Sequence, residues 1–427
     1  MNITVLGGGH GCYAAAVEMA EKGHPTHLWR RDSAALKELL AIGSLTIKDY
    51  RGTRQLSVGR QGDKLSLTDD LAEALADAQL VIIPLPSTSH EDLAKHVAPH
   101  LHDGQVVFLP PGTFGSYVFA KAMADAGNQS KVAFAETGTL PYLVRKHGAS
   151  DLVISGYATR LPTGVFPSKL SGHAFAVLRE AYPSVEPIED ALSGALMNAG
   201  PIIHPPLIMM NAGPLEHFEA WDIHNEGTQP SIRRVTNQLD AERMAVREAL
   251  TYGAPHFPLA DHYNTTEGEE WMYGRGAHGK LTDSGDWRED IDLQTHRYML
   301  EDTRLGLSLL VSVGRWAGVP TPVAQGLLSI ASVVAERDLY AEGRTLENLG
   351  LATLSRAFLS TNLSDVVRRY PGSPIACFDE IRLSLMDGVV CRVCHSLPRN
   401  RLPDQGQRTA DLMPLFLEHR LRVRRSI

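Results

Sequence analysis

The sequence predicts an α/β protein, a parallel sheet in the N-terminal part joined to a mainly α-helical C-terminal part, and three observations predict it. A short β-rich run meets a cluster of glycines and passes straight into a helical pattern. Buried-strand runs then alternate with segments of helical spacing, the signature of a parallel sheet covered on both faces. From about Ile188 onward the strand runs stop and helical segments follow one another. The 427 residues thus divide into a sheet domain at 1–187, a helical domain at 188–362 and an arginine-rich tail at 363–427.

Residues 2–6, NITVL, form the first strand, and the helical run CYAAAVEMAEKG follows the glycines. THLWRR is a second strand ending at Arg31, after which DSAALKELLAIG returns to helical spacing. Asp32 or Ser33 is placed to cap that helix, since a short polar side chain accepts from the free N–H groups of the first turn. Further buried-strand runs are LVIIPL at 80–85, VVFL at 106–109, VAFA at 132–135 and LVIS at 152–155. In the second half ALSGALMNAG, SIRRVTNQLDAERMAVREALTYG, HRYMLEDTRLGLSLLVSVGRWAG and PVAQGLLSIASVVAERDLYAEG carry helical spacing. There is no internal repeat and no long low-complexity linker.

Composition narrows the function class. With 43% hydrophobic and 21% charged residues the chain is an ordinary globular protein. A net charge of −8 opposes a general affinity for nucleic acid or an anionic membrane, so small molecules are the expected partners. The start MNITVLGGGHG lacks the pattern of a secretory signal, and no apolar run reaches the ~20 residues that span a bilayer, which makes a cytoplasmic location the expectation. Four cysteines, at 12, 377, 391 and 394, are too few to frame the fold and are expected as reduced thiols. CRVCH at 391–395 matches a haem-attachment pattern that belongs to exported proteins, and reads as a chance occurrence. The tail holds eleven arginines, no lysine and seven acids. No metal site is expected.

Gly7-Gly8-Gly9-His10-Gly11-Cys12 follows a strand and opens a helix, the context in which a glycine cluster is informative. Gly7 allows a tight turn and Gly9 lets the backbone approach a pyrophosphate, whose charge then faces the unpaired N–H groups of a helix N-terminus. His10 and Gly11 belong to the same turn. Cys12 stands where a third glycine is usual; it is small enough for close helix–strand packing and reads better as a buried residue than as a redox group. An ordinary turn is the alternative for the glycines. The context favours a Rossmann-type dinucleotide-binding domain. At the end of the second strand an acid would accept from an NAD ribose, but Arg30 and Arg31 stand there. A guanidinium pair matches a 2′-phosphate, so NADP(H) is favoured with NAD(H) left open; solvated surface arginines are the alternative. The loops LPSTSH at 85–90, containing Pro86, and PPGTFG at 110–115 fall at carboxyl ends of strands, where ligands bind in open sheets. Each reads equally well as a proline-bearing turn.

The stretch from Leu196 to Gly213, LMNAGPIIHPPLIMMNAG, holds His204 and no charged residue. Such an imidazole needs a partner from elsewhere or faces a cavity. Pro205 and Pro206 cannot donate backbone hydrogen bonds, so the chain is expected to break at the histidine and aim it sideways into a pocket wall. A nearby carboxylate would make the ring a useful acid near neutral pH. In the helical run from His296 to Gly318 the candidate is Asp302, set among Tyr298, Leu305, Leu309 and Ser312 with Gly306 leaving space, and Glu301 competes from an adjacent face. Arg297 precedes Asp302 by five positions, about 140° around a regular helix, so the two address different groups unless the helix bends. A satisfied core histidine with unrelated surface charges explains the spacing equally well.

The order GGGHGC, NAGPIIHPPLIMMNAG, EGTQPSIRRVTNQLDAER, HRYMLEDTRLGLSLL, GVPTP and EGRTLENLGL resembles the octopine and nopaline dehydrogenase family, the opine dehydrogenases, over residues 2 to about 360. The helical half carries the more specific motifs and the tail lies outside the resemblance. What it implies is a catalytic dyad of His204 and Asp302, with Arg297 as a cofactor- or substrate-sensing arginine. It implies an NAD(P)-dependent enzyme that condenses an amino acid with a 2-keto acid such as pyruvate through an imine, reducing it to an N-(carboxyalkyl) amino acid. The loops Trp221 to Thr228 and Asp261 to Tyr273 are expected to line the amine pocket, and a homodimer is left open. Two rivals remain: an NADP-dependent 2-keto acid or carbonyl reductase of the 6-phosphogluconate dehydrogenase-like superfamily, and a non-catalytic NADP-binding sensor.

Overall fold

The computed structural model describes residues 1–60, 64–259, 273 and 290–353; the tail, CRVCH and residues 261–272 lie outside the described residues. The first half runs β1 (Ile3–Leu6), α1 (His10–Glu21), β2 (Thr26–Trp29), α2 (Ser33–Ile42), β3 (Ser44–Asp49), β4 (Gly52–Ser57), β5 (Leu65–Thr68), α3 (Leu71–Ala76) and β6 (Leu80–Ile82). It continues with α4 (His90–Val97), β7 (Val106–Leu109), α5 (Gly115–Asp125), β8 (Ala133–Thr137), β9 (Tyr142–His147), β10 (Asp151–Tyr157), β11 (Leu161–Phe166), α6 (Ser171–Ala181) and β12 (Val185–Pro187).

Eight strands form one sheet in the order β12-β11-β8-β7-β6-β1-β2-β5. From β5 to β8 all neighbours are parallel, and β11 joins β8 antiparallel. Every residue of β1 and of β7 is buried, as apolar runs covered on both faces should be. The order β5-β2-β1-β6-β7-β8 reverses direction between β1 and β6, so the carboxyl ends of those two strands flank the ligand crevice of a doubly wound fold. Asp32 caps α2, its carboxylate accepting from Ala34 and Ala35 N–H at 3.0 and 3.1 Å.

One expected strand belongs elsewhere. LVIS was expected in the parallel sheet, but its strand β10 lies in a separate sheet, β4-β3-β10-β9. The reason is alternation. Leu45 and Ile47 of β3 and Leu152 and Ile154 of β10 are buried, while Thr46, Lys48, Val153 and Ser155 between them are not, the pattern of a sheet covered on one face.

The second half contains α7 (Ala191–Ala195), α8 (Gly200–Met210), α9 (Ala212–His217), α10 (Pro230–Ala249), a π-helical segment (Tyr298–Leu307) running directly into α11 (Ser308–Ala317), and α12 (Pro322–Val334). The break expected at His204 does not occur: α8 passes through His204, Pro205 and Pro206. Two prolines remove two intrahelical bonds. Burial of Ile202, Pro205, Pro206, Leu207 and Ile208 outweighs that loss, because helices in proteins are stabilised more by packing than by propensity.

Candidate active site

At the crevice Gly7 has φ +120, and a Cβ there would stand 2.6 Å from a Leu85 methyl and 2.9 Å from Cys12 Sγ. Gly9 is the N-cap of α1 and makes no side-chain cap bond, and a Cβ added to it would meet nothing within 4 Å. The free N–H groups of α1 therefore open onto space that a phosphate can enter. Gly11 packs closely too, with a hypothetical Cβ 2.6 Å from Leu140. His10 begins α1, and its Nδ1 accepts from Lys146 N–H of β9 at 2.7 Å, tying the turn to the second sheet. Cys12 is fully buried, with Sγ 3.5 Å from the Leu6 carbonyl, and burial pushes its thiol up to about 12. Its side chain supports the turn from beneath and faces the core.

The two arginines part company. Arg30 lies across the turn: its guanidinium donates to the Tyr13 hydroxyl, sits 5.6 Å from the Tyr13 ring centre, and would be 2.7 Å from a Cβ on Gly8. Lys146 Nζ is 5.0 Å from the same ring, a second cation that sequence reading missed because β9 itself was missed. Arg31 turns away and pairs with Asp92 of α4 at 2.8 Å. Pro86 is exposed in the loop that follows β6.

Deeper in, the His204 ring meets Asp302. Nδ1 and Oδ2 are 2.7 Å apart, with 14% of the His204 side chain and 4% of the Asp302 side chain exposed. Two glycines permit this approach. A Cβ on Gly200 would run into the Asp302 carboxylate, and one on Gly306 would run into the Pro201 ring, so the space expected at Gly306 is filled by Pro201. Tyr298 stacks on the His204 ring at 3.8 Å and 17°, and His224 of the 221–228 loop stands edge-on at 6.0 Å. With Nδ1–H donated to the carboxylate, Nε2 is the nitrogen left to exchange a proton.

The 140° offset expected between Arg297 and Asp302 assumed α-helical winding, whereas the segment is π-helical, winding with i→i+5 spacing. Arg297, 58% exposed, has its Nε 3.7 Å from Glu301 Oε2. Glu301 is buried at 4%, and burial raises its carboxyl above the usual range.

Other buried polar groups had no sequence signal. Glu136, at the carboxyl end of β8, is fully buried, accepts from Ser116 Oγ at 2.5 Å, and is pushed up to about 8 by burial. Asn198 Nδ2 donates to Thr113 Oγ1 at 2.8 Å and so joins the chain before α8 to the loop after β7. Of the expected amine-pocket loops, 221–228 packs beside His204, and Tyr273 bonds Thr139 at 2.8 Å and the Leu140 carbonyl at 2.6 Å.

Comparison with known proteins bears on both halves. Residues 2–112 match the family model described as NAD-dependent glycerol-3-phosphate dehydrogenase N-terminus, and residues 187–335 match NAD/NADP octopine/nopaline dehydrogenase, alpha-helical domain. An opine dehydrogenase from Arthrobacter sp. (strain 1C) is 28% identical over 361 residues, 83% of this chain and 96% of that one. A solved octopine dehydrogenase, bound to NADH and pyruvate, has a similar fold with a TM-score of 0.62 at 18% identity, over 84% of this chain and 98% of that one. So does an NADP+-bound yersinopine dehydrogenase, with a TM-score of 0.54 at 15% identity, over 86% and 98%. The helical-domain match contains both His204 and Asp302, and the alignment to the opine dehydrogenase runs through both halves, so this chain is similar to the opine dehydrogenases over most of its length.

Proposed function

We propose that this chain is an opine dehydrogenase, an NAD(P)H-dependent oxidoreductase with NADP(H) preferred. It joins the amino group of an amino acid to the carbonyl carbon of a 2-keto acid such as pyruvate. The product is an N-(carboxyalkyl) amino acid. The observation that carries this reading is the 2.7 Å bond between His204 Nδ1 and Asp302 Oδ2 inside the matched helical domain.

The turn at Gly7, Gly9 and Gly11 fits a dinucleotide, since a side chain at Gly7 or Gly11 would collide and the uncapped end of α1 faces open space. The cofactor, when bound, supplies the hydride. Backbone N–H groups at the turn hold the pyrophosphate, and Arg30 with Lys146 receives the 2′-phosphate. Condensation of amine and ketone forms a C=N bond and expels the carbonyl oxygen as water. His204 Nε2 hydrogen-bonds that oxygen and gives it the proton it needs to leave. Asp302 orients the ring and stabilises its cation. Two electrons and one proton then turn the C=N carbon into the new stereocentre. Arg297, exposed at the edge of the π-helical segment, is read as a sensor of anionic cofactor or substrate, and the 221–228 loop as one wall of the amine pocket.

Among the described residues no helix is long and apolar enough to cross a membrane. A cytoplasmic location is part of the proposal, and sizing of the purified chain distinguishes monomer from homodimer. The test is a pairwise screen of amino acids against pyruvate, glyoxylate and longer keto acids, followed by NADPH absorbance and product mass. A ketone reductase would consume NADPH with the keto acid alone, and a sensor would consume none with any pair.

A further inference from the structure

Two buried charged side chains of the helical half close on one residue of the sheet half. Glu301 accepts from Ser87 N–H at 2.8 Å and from Ser87 Oγ at 3.2 Å. Arg344, 2% exposed, donates to the Ser87 carbonyl at 2.9 Å. The same guanidinium reaches the Thr113 carbonyl at 2.9 Å and the Glu91 carboxylate at 2.6 Å. Ser87 follows β6 and Thr113 follows β7, so both loops at the carboxyl edge of the sheet are gripped from the other half.

Filling space does not require ions here. Burying a charge costs several kcal/mol, and apolar side chains of similar volume commonly replace buried ion pairs without loss. The second oxygen of Glu301 has no hydrogen-bond partner among the described residues, so the carboxylate is spent on Ser87 and on the nearby Arg297. Glu301 also directly precedes Asp302, and the two carboxylates leave the π-helical segment toward different neighbours: Glu301 to the nucleotide-edge loop, Asp302 to the His204 ring.

We propose that the Ser87–Glu301 contact registers the His204–Asp302 pair against the nucleotide edge of the sheet, with Arg344 as the second arm of the grip. Glu301 is a positioning residue and touches no reacting atom. A displacement of the 85–90 loop reaches Asp302 through Glu301 and one peptide link. The assignment rests on the reading of His204 and Asp302 as the proton-moving pair.

The test uses the full chain and the variants E301A and E301Q. Four quantities are measured: kcat, NADPH dissociation constant, melting temperature, and the ¹⁵N signals of the His204 ring with and without NADPH, assigned with H204N. E301A should lower kcat roughly 10- to 100-fold, the scale of a misplaced reacting group. NADPH affinity should stay within about three-fold, since uniform binding is not what is lost. The His204 signals should no longer respond to NADPH. E301Q should recover most of kcat, because its amide oxygen accepts from the same Ser87 N–H. A kcat for E301A within about two-fold of the parent, or a His204 response that persists, overturns the proposal. If E301A does not fold, E301D, which keeps the charge but withdraws it from Ser87, must still lower kcat by about three-fold or more with NADPH affinity kept; an unchanged kcat in E301D overturns it. Should the parent chain join no amine to any keto acid while E301A abolishes the His204 response to NADPH, the positioning contact stands and the opine reading falls.

Discussion

Asparagine at position 302 keeps the bulk of Asp302 and one oxygen within reach of the His204 ring, but it removes the charge. The carboxylate has little freedom to adapt: Oδ2 is 2.7 Å from Nδ1, and the other oxygen is pressed against Gly200. If the amide turns its NH₂ toward the ring, Nδ1 must accept and cannot carry a proton, so Nε2 could give up its own only by leaving an imidazolate, the wrong tautomer for a proton donor. If it turns its oxygen toward the ring, the tautomer survives but nothing offsets the imidazolium. A hydrogen bond to a charged group is worth about 1.5–3 kcal/mol, which is roughly 10- to 100-fold in rate. The wrong tautomer carries the loss toward the ~10⁴-fold seen when an orienting carboxylate becomes an amide. Turnover should therefore fall by about 10²- to 10⁴-fold while NADPH affinity and melting temperature barely move. The assay is initial-rate NADPH consumption across pH, with H204N and the double variant alongside. Two results would refute the reasoning: a loss in D302N of less than about three-fold, or a double variant whose loss equals the product of the single losses.

The remaining perturbations are simpler. R30D removes the guanidinium lying over Gly8 and supplies a ribose acceptor, so the NADPH Michaelis constant should rise roughly 10- to 100-fold with NADH becoming the better cofactor; equal constants for both cofactors in the parent would sink the phosphate assignment. G306A drives a methyl into the Pro201 ring and should cost about 1–3 kcal/mol of stability, seen in melting, together with a drop in turnover as α8 and the π-helical segment are forced apart. Glu136 ionises near its ordinary 4.5 when unfolded but near about 8 when folded, because it is buried. Its contribution is complete below the unfolded value and is lost as pH rises toward the folded one, on the order of 1 kcal/mol per pH unit. E136Q has no such proton to lose, so its melting temperature relative to the parent should climb between about pH 5 and pH 8; parallel curves would contradict the neutral, buried carboxyl.

Sequence reading was strongest where structure is local. The strand–glycine–helix unit at residues 3–21 and the cap at Asp32 are decided by neighbours in the chain, and both were legible. The second sheet was not, because β3 pairs with β10 across about a hundred residues and its strands carry lysine and serine outward. The expected break at His204 failed because proline rules describe an isolated helix, whereas α8 is packed on several sides. A π-helical segment leaves no mark in apolar spacing over ten residues, whereas the Arg297–Glu301 pair is an i,i+4 contact that ordinary helical spacing allows and was missed because Glu301 was weighed only as a competitor for His204. The His204–Asp302 pair was picked out through resemblance, since spacing alone did not separate Asp302 from Glu301. Arg344 and Glu136 went unnoticed because a charged residue is read as exposed unless something in the sequence says otherwise.

The central claim is that hydride ends on a carbon bonded to nitrogen, and deuterium transferred from C4-labelled NADPH reports that carbon directly. With a turning-over pair of amino acid and keto acid, deuterium is predicted on the carbon that carries both the new C–N bond and the former keto acid's carboxylate, in a secondary amine whose formation needs both substrates. Deuterium found instead on an alcohol carbon, formed at the same rate without the amino acid, would contradict it.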